Sequence, residues 1–283
     1  MTLPSSIGPS LERAIARWAL RHPKFVIETA SSVIFRVEGV GSASAALKLL
    51  KPEAGGDEAR GGALLDWYAG HGAVKVLGTA RNAVLMEWLE GSSLGDLARS
   101  GDDETATSIL CEVVAKLHAR RDAPPPDLMP LRRWFEALFK TNVDSWPAGS
   151  RPIVARAVGI ARELFGEDLP TQPLHGDIHH DNIWRSGNDW LAIDPKGLIG
   201  DPAYDYANSF QNPVGAEGLV LDAARVGRHA AAIAERTDLS RKRLLAWAIA
   251  HTALSGAWHI QDGNLAPHQA RLLALLLPAH DGD

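Results

Sequence analysis

The stretch HGDIHHDN, residues 175–182, with Asp194 twelve residues beyond its end, constrains this chain more than any other. It sets a carboxylate, Asp177, five residues before a carboxamide, Asn182. A short hairpin is predicted to follow. Ile183 to Arg185 reads as one strand, Ser186 to Asp189 as a turn, and Trp190 to Ile193 as the return strand. A hairpin brings its own ends together, so Asn182 and Asp194 become neighbours, with Asp177 in the loop before them. Three oxygen-bearing side chains then converge on one small volume. Mg²⁺ takes hard oxygen ligands, usually one or two carboxylates plus substrate phosphates, which makes Asn182 and Asp194 candidate metal ligands. Asp177 is left as a candidate base toward a hydroxyl. The bland alternative is turn chemistry, in which Asp and Asn are common. A zinc helix is the other alternative, since His175 and His179 are four apart. Gly176 and Asp177 stand, however, where H-E-x-x-H needs a glutamate and a helix former.

The 283 residues suffice for two lobes with sizeable cores. A hydrophobic fraction of 46% and a charged fraction of 22% describe a water-soluble globular chain. The net charge of −5 argues against a nucleic-acid partner held by bulk electrostatics and suits a cationic small molecule. No run approaches eighteen apolar residues, and Met1 to Ser6 lacks a basic-then-apolar leader pattern. A cytoplasmic protein with no membrane association is expected. The single cysteine, Cys111, excludes an internal disulfide and sits in an apolar helical run, where it reads as core.

Upstream, Ser10 to Leu20 reads as an amphipathic helix opened by a capping serine. Strands are predicted at Phe25 to Thr29, Val33 to Glu38 and Ala45 to Leu49, the last carrying Lys48. A helix from about Asp57 follows. Glu58, ten residues after Lys48, is the candidate partner of that lysine, with Asp66 as a rival. Glu58 is equally explained as an acidic residue favoured in a first helical turn. Val74 to Leu77 and Ala83 to Trp88 read as further strands, and Glu87 to Gly91 then breaks the pattern. Helices are predicted over 104–120, 131–139, 154–165, 218–236, 240–258 and 267–277, with Asp201 opening another through Phe210.

The strand around Lys48 resembles the kinase V-A-I-K strand, and the spacing of Asp177, Asn182 and Asp194 matches H-R-D-x-x-x-x-N with its downstream aspartate. With residues 57–61, 72–78, 86–91, 130–132, 174–183, 190–200 and 254–258, the similarity covers nearly the whole chain. The chain resembles aminoglycoside phosphotransferases, most of all the streptomycin 6-kinase branch of the aminoglycoside/hydroxyurea antibiotic resistance kinases. The resemblance implies an α+β, protein-kinase-like fold. Residues 1–90 would form a nucleotide-binding N-lobe with a small antiparallel sheet. Residues 91–283 would form a mostly helical C-lobe with the catalytic loop and acceptor site. It implies ATP and Mg²⁺ as cofactors and a hydroxyl of a cationic antibiotic, streptomycin first, as acceptor. Another small alcohol or amine, or an inactive nucleotide-binding module, are the alternatives. On this similarity Lys48 contacts phosphates, Glu58 holds Lys48, Asp177 is the base, and Asn182 and Asp194 hold the metal. Glu87 and Leu89 lie where a hinge meets adenine.

Two departures stand out. No G-x-G-x-x-G covers the phosphates; Ser31 and Ser32 in its place either donate to them or simply form a turn. Asp194 is followed by Pro195 and Lys196, and proline fixes φ. Lys196 reads as exposed in preference to phosphate-binding. Asp201, Asp205 and Asp262 are candidate carboxylates for a cationic acceptor, although Asp201 also reads as a helix cap and Asp205 as a brace for the loop.

Overall fold

The computed structural model describes residues 7–51, 56–168 and 170–283, the side chains of residues 40 and 56–58 excepted. Helix α1 (Ile7–Trp18) leads into strands β1 (Arg21–Glu28), β2 (Ser32–Glu38) and β3 (Ser44–Leu50). Helix α2 (Gly56–Tyr68) separates these from β4 (Val76–Ala80) and β5 (Ala83–Glu87). The five strands form one antiparallel sheet in the order β1-β2-β3-β5-β4. Period-two alternation explains its outer layer: Val33, Phe35, Val37, Ala45, Leu47 and Leu49 are buried together with Ile7 and Ala14 of α1. Lys48 points to the opposite face, in register with Ile34 and Val84 on the neighbouring strands. Pro23 lies inside β1, an edge strand exposed along its whole length, where a missing N–H is tolerated.

The chain then becomes helical. Ser93 and Asp96 form a capping box at the start of α3 (Leu94–Arg99), and α4 (Asp103–His118) buries Ala106, Leu110, Val113, Val114 and Leu117 on one stripe. Cys111 lies on that stripe, and burial pushes its thiol up to about 12. Strand β6 (Met129–Pro130) precedes α5 (Leu131–Trp134) and α6 (Glu136–Phe139), which divide at the fully buried Phe135 instead of forming one helix. Helix α7 (Arg151–Leu164) leads to β7 (Gln172–Leu174), the hairpin β8 (Ile183–Ser186) and β9 (Asp189–Ala192), and β10 (Leu198–Gly200). After these come α8 (Glu217–Val220), α9 (Ala223–Arg236), α10 (Arg241–Gln261) and α11 (Pro267–Asp281). Helix α10 is the axle: every residue from Leu244 to Ala257 is buried, and its alanines let neighbours approach on all sides. This is an α+β, two-lobed, protein-kinase-like fold. Among the described residues no helix is long and apolar enough to cross a membrane.

One sheet was absent from the sequence reading. β6, β10 and β7 pair in that order, parallel and then antiparallel. It brackets residues 175–197, since β7 leads into that stretch and β10 follows it.

Candidate active site

The hairpin β8–β9 is stitched to the sheet side of the molecule along both edges. Ala192 N–H donates to Gly72 O and Val74 N–H to Ala192 O, each at 2.9 Å. On the other edge, Arg185 N–H donates to Ser92 O at 3.0 Å and Gly91 N–H to Arg185 O at 3.2 Å. Its two ends meet as the spacing requires: Ile193 N–H donates to Asn182 O at 2.9 Å. Asn182 turns its amide back on the loop, donating to the backbone oxygen of Asp177 at 3.0 Å and, at 3.4 Å, to Asp177 Oδ2. Asp177, Asn182 and Asp194 are thus brought together.

Charge is closely balanced here. Lys48 forms an ion pair with Asp194 Oδ1 across the gap between sheet and loop. Burial pushes the Asp194 carboxyl up, but Lys48 and Lys196 more than reverse this and hold it at about 2. His175 is fully buried and lies on the same side of the loop. Its Nε2 donates to Ile193 O at 3.0 Å and its Nδ1 accepts from Asp177 N–H at 3.3 Å. Both bonds suit a neutral ring, and burial pushes the His175 pKa down.

A ten-residue 3₁₀-helix, Pro202–Gln211, stands behind the loop. Residues three apart eclipse on such a helix, so Asp205 and Asn208 share an edge. Asp205 accepts the backbone N–H groups of Gly176 at 2.7 Å and His175 at 3.0 Å, and pairs with His118 Nε2 at 2.8 Å. Asn208 Nδ2 donates to Asp177 Oδ1 at 2.7 Å. Its own oxygen accepts from Gln211 at 2.8 Å and Asn212 at 3.0 Å. With that oxygen committed, the amide can only aim its NH₂ at Asp177. Arg225, itself buried, anchors the end of this helix through Phe210 O, Asn212 O and the Asp103 carboxylate.

A cavity of about 520 Å³ opens between the sheet and the hairpin. Ile34, Ala46, Leu65, Val84, Met86 and Ile193 make it mainly apolar, while Lys48, Asn182 and Asp194 add polar groups to its lining. Glu87 and Leu89, where the chain leaves β5, line the other walls.

Residues 17–263 match the family model described as aminoglycoside/hydroxyurea antibiotic resistance kinase. The chain belongs to that family. It is 40% identical over 252 residues to a streptomycin 3''-kinase of Klebsiella pneumoniae, covering 87% of this chain and 91% of that one. It is 31% identical over 268 residues to a streptomycin 6-kinase of Streptomyces griseus, covering 91% and 85%. Among solved structures, a thermostable mutant of aminoglycoside phosphotransferase APH(4)-Ia, in ternary complex with AMP-PNP and hygromycin B, superposes with a TM-score of 0.69 at 18% identity. That match covers 99% of this chain and all of the other, and it shows the fold.

Within this small-molecule kinase, the expectations for Asp201, Asp205 and Lys196 need correction. Asp201 and Asp205 do not face an acceptor, because both are buried and fully engaged inside the fold. Asp201 caps the 3₁₀-helix through Ala203 N–H at 3.1 Å and binds Arg243 at 2.9 Å and the Trp247 indole. Asp205 is the brace just described. Asp262 is exposed at the C-terminal cap of α10. Lys196 is not a surface lysine: its Nζ lies 3.4 Å from Asp177 Oδ2 and 3.5 Å from Asp194 Oδ2. Ser32 faces Thr29, whose hydroxyl is 3.0 Å from both its Oγ and its N–H. Ser31 contributes its carbonyl to Lys51 N–H at 2.9 Å. The Glu58 side chain lies outside the described residues. Asn208 escaped the sequence reading, although its offset of three from Asp205 was visible.

The donor set suits a hard cation. Asn182 has its NH₂ committed to Asp177 O, which directs its oxygen away from the loop, and Asp194 is held ionised. Among the described residues no group of three or more His, Cys, Asp or Glu is placed to hold a metal ion.

Helix α2 reaches this site through a glycine. A Cβ at Gly61 would fall on the carbonyl oxygen of Pro195, a backbone atom that cannot swing aside. Gly61→Ala is therefore expected to destabilise the fold by about 1–3 kcal/mol, as overpacking does. Urea denaturation measures this, and an unchanged midpoint would mean that α2 retreats freely from the 194–197 segment.

Proposed function

We propose that this kinase transfers the γ-phosphoryl group of ATP, with Mg²⁺, to a hydroxyl of streptomycin. The observation that carries the reading is the convergence of Asp177, Asn182 and Asp194, the last two lining an apolar cavity and Asp177 beside it. The cavity takes the nucleotide, with the base near Glu87 and Leu89 and the phosphates near Lys48, Ser31 and Ser32. Glu58 is the proposed partner of Lys48. Asn182 and Asp194 hold the Mg²⁺, which would neutralise phosphate charge. Asp177 orients the acceptor hydroxyl and takes its proton, while Asn208 fixes the carboxylate that does so.

Streptomycin carries guanidinium groups, which carboxylates bind well. A net charge of −5 favours such a ligand, and Asp262 is the remaining candidate contact. The resemblance to the 6-kinase branch gives way to a 3''-kinase reading, because identity to the 3''-kinase is 40% against 31% for the 6-kinase. Incubation of the purified chain with streptomycin and Mg·ATP is expected to yield one monophosphate, and tandem mass spectrometry assigns it to a ring. Phosphate on the streptidine ring would restore the 6-position. A product from hydroxyurea with none from streptomycin would replace the acceptor.

A further inference from the structure

One cation of the site stands between its two carboxylates. Lys196 Nζ is within 3.5 Å of both Asp177 and Asp194, and its side chain is only 24% exposed. The backbone fixes it from both sides. Lys196 N–H donates to His175 O at 2.7 Å. Asp194 at φ 60° and Gly197 at φ 68° are both left-handed, with Pro195 between them packed on Gly61. The two lysines also differ in position. Lys48 lines the nucleotide-sized cavity together with Asn182, Asp194 and Pro195, whereas Lys196 and Asp177 do not. Lys196 therefore stands outside that cavity and beside Asp177, the carboxylate an acceptor must reach.

We infer that Lys196 is a catalytic residue that binds the phosphoryl group in transit between nucleotide and acceptor, an inference that rests on the phosphotransfer reading above. In that step the acceptor oxygen bonds to the γ-phosphorus as the bond to the bridging oxygen of departing ADP breaks. The hydroxyl proton passes to the Asp177 carboxylate, and Lys196 stays protonated throughout. Its ammonium donates to the equatorial phosphoryl oxygens, over which charge is spread in the transition state. A lysine fits this place because it is a compact charge with three rotatable donors. It can keep its hold on Asp177 while it takes the phosphoryl oxygens.

The test compares Lys196→Met and Lys196→Gln with the unaltered protein, using two probes. Mg·AMP-PNP reports the ground state, and Mg·ADP with aluminium fluoride mimics the group in transit. Affinity for the fluoride complex is expected to fall by about 10²–10³-fold, the usual effect of losing one such donor. AMP-PNP affinity is expected to stay within about threefold, and with any accepted alcohol kcat falls while both KM values hold. Lys196→Arg, which keeps the charge, recovers part of the loss. Equal losses for the two probes in both neutral variants overturn the role, as does no loss for either. Melting temperatures of the variants separate misfolding from a local effect. If the unaltered protein binds both nucleotides but does not phosphorylate streptomycin, only the acceptor assignment falls, because the probes still report on Lys196. If it binds neither, the phosphotransfer reading falls and this inference falls with it.

Discussion

Asp177→Ala is expected to keep the fold and nucleotide affinity while turnover drops by about 10² to 10⁴, the usual contribution of a general base. The side chain touches Asn208 at 2.7 Å, and Asn182 and Lys196 at 3.4 Å, all three through polar groups. None of these contacts carries an element of the core. The loop itself is held from behind by Asp205 on its backbone N–H groups, so removing the Asp177 carboxylate leaves its path intact. Steady-state rates with saturating acceptor, alongside AMP-PNP titration, measure the two quantities separately. A variant within about threefold of the unaltered rate would take Asp177 out of the chemistry.

Acid is expected to unfold this protein earlier than its carboxylates would require. Four histidines, His175, His180, His229 and His251, are buried, and burial pushes each of them down, His251 to about 4. Their surroundings suit neutral rings. His229 sits between Thr107 at 2.9 Å and Ser209 at 2.7 Å, and His251 faces the Tyr204 hydroxyl at 2.9 Å. Neither nitrogen of His180 has a partner among the described residues, and Arg225 lies close enough to oppose its charge. The folded values lie below the unfolded value of about 6.5. The unfolded chain therefore binds the extra protons, and stability is complete above that value and lost as pH falls through it. Each ring removes about 1.4 kcal/mol per pH unit while it stays neutral in the fold. The four contributions have the same sign, so they add as the pH falls. Ordinary carboxylates begin to protonate only nearer pH 4. Denaturant midpoints measured from pH 7.5 to 5 test this directly. A flat profile over that interval would place the charged rings inside the native state.

The hairpin and its three polar side chains were legible because strand pairing converts sequence spacing into proximity with no long-range information. The five-stranded sheet was legible for a related reason, since Val33, Phe35 and Val37 alternate with half-exposed neighbours. The sheet β6-β10-β7 was not, because its strands are two or three residues long and begin at 129, 172 and 198. No periodicity can be read in pieces that short. The single helix expected over 131–139 breaks at Phe135, whose ring packs against Phe165, Tyr204 and Trp247 from distant parts of the chain. The carboxylates of Asp201 and Asp205 looked like ligands for a cationic acceptor because burial is invisible in a sequence. Lys196 looked like surface because most lysines are. Its true place depends on a left-handed residue just before a proline, a conformation that no local preference of aspartate enforces.

That short stretch, Asp194 to Gly197, bears on how such an enzyme is controlled and how it is inhibited. In kinases governed by a phenylalanine next to the metal aspartate, the two side chains exchange places, and an emptied pocket opens beside the nucleotide. Here the neighbour is a proline, whose own φ is fixed and whose carbonyl oxygen packs against Gly61 of α2. A compound that depends on that exchange is therefore expected not to bind here, whereas one shaped for the nucleotide-sized cavity is.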